Sequence, residues 1–293
     1  MTATDERTIP AITEPGIYDL PETVYHADPT PAGSLSSSGA RKLLDCPALF
    51  DHERRNKPAP KKAFDIGTAA HHLVLGTGPE LVVIDADSYR TKPAREARDA
   101  AYARDAVPLL PAEYAQVQAM AEALQDNPTA AKVFSPERGP AERSLFWVDQ
   151  ETGVWCRARL DHMPEAEYGA AWFIVSDYKT ARSADPEQIA KAVYDYGYHI
   201  QAAWYLEGIR ALGLHANPRM VFVFQEKTAP YLTTVVELDL VALRIGRNQM
   251  RKALQTYKKC SETGRWPGYS EQVELISLPV WAERKHEDEG DLS

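Results

Sequence analysis

Two acids, a lysine, a histidine and an amide lie in four short stretches of this 293-residue chain, and their types suit hard-cation chemistry. The apolar pair Ile174-Val175 leads into Ser176-Asp177-Tyr178-Lys179-Thr180. In a strand, residues two apart face the same way, so Asp177 and Lys179 stand side by side. A second run, Cys156-Arg157-Ala158-Arg159-Leu160-Asp161, also ends on an acid, and the connection 162–170 separates it from the first. Two adjacent strands would bring the carboxylates together. Carboxylate oxygens suit Mg²⁺, which takes one or two protein carboxylates plus substrate phosphate. The lysine would hold a phosphate oxygen, or position or deprotonate an attacking water. The plainer reading is an ion pair and two solvated strand-end acids.

The other two stretches are helical in pattern. Gly67-Thr68-Ala69-Ala70-His71-His72 puts an imidazole on a small-residue, apolar helix. It is either a core histidine satisfied by a hydrogen bond or a ligand, and His72 is turned from His71 by about 100°. In Tyr194-Asp-Tyr-Gly-Tyr198-His-Ile-Gln201-Ala-Ala-Trp-Tyr205, residues Tyr198, Gln201 and Tyr205 are spaced i, i+3, i+7 on one face. Aromatic packing accounts for the tyrosines, but a buried amide at 201 needs partners.

These stretches need a scaffold, and the pattern supplies one. Strands are expected at 81–85, 143–149, 154–160, 171–177, 220–226 and 231–238, the second and third joined by the turn Asp149-Gln-Glu-Thr-Gly153. Helices are expected at 36–44, 64–75, 93–105, 111–124, 186–195, 198–212 and 239–262, the last ending at Gly264. The order predicts one α/β domain over 35–281, a central mixed sheet flanked by helices. Residues 1–34 read as a Pro-rich extended arm, 53–62 as a basic loop and 282–293 as a charged disordered tail.

Composition bounds the function. The chain is 44% hydrophobic and 26% charged, ordinary for a globular protein. Its net charge of −9 argues against a nucleic-acid binder until the distribution is considered: residues 1–30 and 282–293 together carry −8 of it. The body is close to neutral and has room for basic patches. Cys46, Cys156 and Cys260 are far apart, which excludes a four-cysteine iron–sulfur cluster and disfavours a paired-cysteine zinc site or a disulfide framework. No basic apolar leader and no apolar run near 18 residues is present, so a cytoplasmic location without a membrane span is expected. The absence of GxxxxGK[ST] argues against a P-loop ATPase.

Taken together and in this order, the motifs resemble the PD-(D/E)XK nuclease superfamily, and within it the RecE-type exodeoxyribonuclease VIII catalytic domains of phage and prophage recombination modules. The resemblance runs from Tyr25-His-Ala-Asp28 and Ser34-Leu-Ser36 through Gly67-x-x-x-His71, Cys156–Asp161, Asp177-Tyr-Lys179-Thr180 and Gln201-x-x-x-Tyr205 to Gly264-Arg-Trp-Pro-Gly268. It implies a restriction-endonuclease-like fold. It implies that His71, Asp161, Asp177 and the main-chain carbonyl of Tyr178 hold Mg²⁺, with Mn²⁺ as a substitute, and that Lys179 is the catalytic lysine. Gln201 and Tyr205 match the QxxxY motif that supports the site in RecB-like members. Asp177 stands where many members have glutamate, and Leu160 where proline is expected. Glu142 is a further acid that could join.

The resemblance also implies ATP-independent digestion of linear double-stranded DNA from the 5′ end. The resulting 3′ single strand would pass to a RecT-type annealing protein, and a homo-oligomer is expected. Phosphate contacts would come from Arg41, Lys42, Arg54, Arg55, Lys57, Lys61 and Lys62, and from Arg90, Lys92, Arg95 and Arg98, unless these are simply solvated charges. The competing readings are a non-catalytic DNA-binding or scaffold protein with the same fold, an endonuclease of the superfamily, and a metal-dependent hydrolase of a small substrate.

Overall fold

The computed structural model describes residues 11–56, 65–165 and 172–288. The first elements are β1 (Gly16–Tyr18), α1 (Glu22–Ala27), β2 (Leu35–Ser36), α2 (Ser37–Asp45), α3 (Pro47–Arg55) and α4 (Asp65–Leu75). A small parallel pair, β3 (Leu81–Val83) and β4 (Val107–Leu109), brackets α5 (Lys92–Tyr102). Helices α6 (Pro111–Gln125) and α7 (Pro128–Val133) follow. The main strands are β5 (Ala141–Val148), β6 (Trp155–His162) and β7 (Ile174–Ala181). After α8 (Pro186–Asp195) and α9 (Tyr198–Ala211) come β8 (Arg219–Glu226), β9 (Thr233–Glu237), α10 (Leu240–Thr263) and α11 (Val280–Asp288).

Local chemistry sets many of the boundaries. Proline opens α3, α6, α7 and α8, where its missing N–H is no loss. Side-chain oxygens of Ser36, Thr91, Asn127, Asp185 and Asp239 cap α2, α5, α7, α8 and α10. Helix α10 stops at Gly264, whose φ of 67° is left-handed.

The large sheet runs β1-β5-β6-β7-β8-β9, with β2 added in parallel to β6. Strands β5, β6 and β7 are antiparallel neighbours, while β7 and β8 are parallel and joined through α8 and α9. Such a parallel pair requires a crossover, and here the crossover carries the Gln201 helix. Side chains of one face, including Val175, Phe222 and Phe224, pack with Trp204 of α9 and Met250 and Leu254 of α10. Tyr178 and Val223 point to the other face, into a second cluster with Ala69 and Ala70 of α4 and Val117, Met120 and Leu124 of α6. The expected α/β architecture, a mixed sheet between helices, is therefore what the chain forms.

Three segments differ from the expectation. Residues before 35 carry β1, which pairs with β5, and α1, with Ile12 and Tyr25 buried against Phe146. They are not an extended arm over their described part. The Asp28 carboxylate fixes this segment: it accepts from Thr30 Oγ1, Ser34 N–H and Ser34 Oγ, each at 2.7 Å, and pairs with Arg157 at 2.9 Å. Residues 53–55 close α3 rather than opening a loop. Residues 282–288 continue α11. Lys57, Lys61 and Lys62 lie outside the described residues.

Candidate active site

Strand β7 puts Asp177 and Lys179 on one face, as the two-residue repeat requires, with the Tyr178 ring on the other. Asp177 is 1% exposed. Its Oδ1 accepts a hydrogen bond from Gln201 Nε2 of α9 at 2.6 Å, and its Oδ2 faces the Lys179 ammonium at 2.5 Å as an ion pair without hydrogen-bond geometry. The Lys179 ammonium also lies 5.0 Å from the centre of the Tyr198 ring, which is a cation–π contact.

Asp161 arrives on β6, where the ladder to β7 is short: His162 and Ser176 are its only registered pair. Beyond it the Asp161 side chain takes the place of a ladder carbonyl, accepting the Tyr178 N–H at 2.7 Å. His71 of α4 reaches the same carboxylate, with Nε2 at 3.2 Å from Oδ2. Gly67, one turn earlier, keeps α4 close to β7, where an added Cβ would stand a tight 3.2 Å from Thr180 Oγ1. Glu142 of β5 stands behind His71 at 3.6 Å and is itself held by Arg159, whose Nε donates at 3.0 Å. Glu142 adopts a left-handed φ of 56°, a costly backbone for a residue with a side chain.

The sequence-derived residues thus come together: His71, Asp161, Lys179, Gln201 and Tyr205 line one cleft of about 330 Å³, with Asp177 directly beneath it. The Tyr205 phenol is buried near Gln201 in the same cleft, and burial holds its pKa well up. Tyr178 contributes its N–H to Asp161, while its hydroxyl donates to Gln225 at 2.5 Å on the far face. Only its main-chain carbonyl remains for the implied ligand role. Arg159, two residues before Asp161 on the same strand face, is a further site residue, and that two-residue spacing is the only mark it leaves in the sequence. Ser36, Ser37 and Ser38 also line the cleft, as do Glu22 and His26. Of the expected basic groups, Arg41 borders it, donating to the Tyr196 carbonyl.

The charges in this cleft are strongly coupled. Burial pushes Asp177 up, the Asp161 charge adds to it, and its pKa reaches about 6 despite Lys179. Burial would raise Asp161 too, but His71, Lys179 and the Tyr178 N–H outweigh it and hold it low. His71 is disfavoured as a cation by burial, yet Asp161 and Glu142 bring it to about 9. Lys179 is likewise penalised by burial but raised by Asp177 and Asp161, so it stays an ammonium. Among the described residues no three His, Cys, Asp or Glu side chains converge as a ready metal cage. The imidazole and the ammonium sit against the carboxylates instead. The donor chemistry nonetheless fits a hard divalent cation: the Asp161 charge raises the proton affinity of the buried Asp177, and Asp177 Oδ2 lacks a hydrogen bond.

Comparison with known proteins agrees with this fold. The crystal structure of a "Putative exonuclease" from Eubacterium rectale superposes with a TM-score of 0.59 at 13% identity, covering 90% of this chain and 96% of that one. At that identity the likeness speaks to the fold. No curated protein matches. Residues 36–279, from the cap of α2 to the residue before α11, match the family described as "PDDEXK-like domain of unknown function". Because that match spans most of the chain and takes in β6, β7, α9 and the cleft residues His71, Asp161, Lys179 and Gln201, the chain belongs to the PDDEXK-like family DUF3799.

Proposed function

We propose that this protein is a divalent-metal-dependent nuclease that degrades linear double-stranded DNA from its ends. The observation that carries the reading is the convergence of Asp161, Asp177 and Lys179 in one cleft, with Gln201 and His71 bonded to the two carboxylates. Mg²⁺, held by Asp161 and Asp177 with His71 beside them, would supply acidification of water and polarisation of the phosphate. The protein's own groups do the positioning. Gln201 fixes the plane of the Asp177 carboxylate. Glu142 and Arg159 hold His71 against Asp161. Lys179, kept charged by its acidic neighbours, is placed to hold a phosphate oxygen as negative charge builds on it.

The end-directed reading rests on the resemblance to RecE-type domains, as do 5′-to-3′ polarity, ATP independence and a role in recombination with an annealing partner in the cytoplasm. An end-labelled linear duplex tests it. Degradation with Mg²⁺ or Mn²⁺, a block by EDTA and survival of closed-circular DNA are expected. Asp177→Ala should abolish degradation while the far-ultraviolet dichroism is unchanged. Cutting of closed circles would replace the exonuclease reading by an endonuclease one. Intact DNA under all metals would leave a binding protein with a nuclease fold.

A further inference from the structure

The corner between α8 and α9 carries tyrosines that the proposed chemistry does not use. Tyr198 is accounted for by its contact with Lys179. Tyr196 is not: it lines the cleft, yet it is 58% exposed. Its ring lies 5.8 Å from the Tyr198 ring, so two aromatic steps lead from solvent to the catalytic ammonium. The backbone beneath it is firmly held. Tyr196 N–H donates to Ala192 O at 2.9 Å, and its carbonyl accepts from Arg41. The next residue, Gly197, has a φ of 69°, and a Cβ there would come 2.8 Å from Arg41 Cδ. A well-anchored backbone therefore presents an open aromatic face at the lip of a cleft suited to a phosphate.

The chemistry that fits such a face is a nucleobase. Bases stack on aromatic side chains whatever their identity. Within a duplex, both faces of an internal base are already covered by its neighbours. Only a terminal or unpaired base has a face to offer. We propose that Tyr196 is a stacking platform for the unpaired base of the nucleotide next to the scissile phosphate, so that this site takes its strand end unstacked. The proposal rests on the nuclease reading and deepens it to the form of the substrate.

The test uses the full chain and a duplex with 2-aminopurine as the terminal base. In EDTA, wild type and Tyr196→Phe should quench the base, and Tyr196→Ala should not. With Mg²⁺, Tyr196→Ala should lower kcat/KM about tenfold. Replacing the terminal nucleotide by an abasic one should slow wild type by a similar factor and Tyr196→Ala hardly further, because ring and base act as one pair. Full quenching by Tyr196→Ala, or losses from ring and base that simply multiply, would overturn the proposal while leaving the nuclease standing. A wild type that neither quenches the base nor degrades DNA would remove both.

Discussion

Asp177 depends on a single amide. Gln201 donates to one of its oxygens and Lys179 faces the other, so the carboxylate has no freedom to turn. Gln201→Ala should leave the ion pair but free the carboxylate plane. The expected result is a roughly 10–100-fold rise in the Mg²⁺ concentration giving half-maximal degradation. Gln201→Glu should not rescue it, because an acceptor then meets an acceptor. An unchanged metal titration would mean that Gln201 only packs. At this scale much was legible. Two-residue spacing placed Asp177 beside Lys179, and the i, i+3, i+7 spacing placed Gln201 with Tyr198 and Tyr205. Arg159 was the least legible, and Glu142 was legible only as a further acid. Glu142 reaches His71 through the β5–β6 register and a left-handed backbone, and neither leaves a local trace in the chain.

At the scale of elements, the position of Gln201 depends on how closely α10 approaches α9. Gly246 of α10 lies so near that an added Cβ would fall 2.0 Å from the His199 carbonyl oxygen, two residues before Gln201. In a free helix, alanine is favoured over glycine by about 1 kcal/mol. Here contact with fixed backbone reverses the sign. Gly246→Ala should destabilise by about 1–3 kcal/mol in urea unfolding and lower activity as α9 shifts. A more stable, fully active variant would show that the two helices separate without cost. Long periodic elements such as α6, α9 and α10 were readable because their apolar faces repeat. Of the three-residue strands, β3 falls within the strand expected at 81–85, but β1 and β4 were not readable, since so short a run shows no period and its pairing is decided by distant partners. Helix α3 was hidden by Pro47, which ends α2 and also opens the next helix.

At the scale of the whole molecule, five of the expected basic groups among the described residues are paired with acids of the chain itself. Lys42 pairs with Glu53, Arg54 and Arg55 with Asp51, Lys92 with Glu96 and Arg98 with Asp99. Phosphate contacts must compete with these pairs, so DNA binding should be shallow in its salt dependence. Two net contacts would weaken binding about tenfold between about 50 and 200 mM salt, and a loss of 10³ or more would indicate many more free cations. Most of these pairs are local: Asp51 lies three and four residues before Arg54 and Arg55, Glu96 four after Lys92 and Asp99 next to Arg98, so the helical spacing shows them, whereas Lys42 and Glu53 meet only through the packing of α2 on α3.

The sheet separates two apolar clusters, and the reactive groups draw on both: Val175 beside Asp177 belongs to one, and Ala69 and Ala70 before His71 belong to the other. None of the chain's six tryptophans falls in the cluster behind His71. Their emission therefore watches only half of the interior. Mild denaturant that loosens the α4 side should silence the enzyme while the fluorescence spectrum still looks native, and a spectroscopist following indole alone would record a folded, inactive protein.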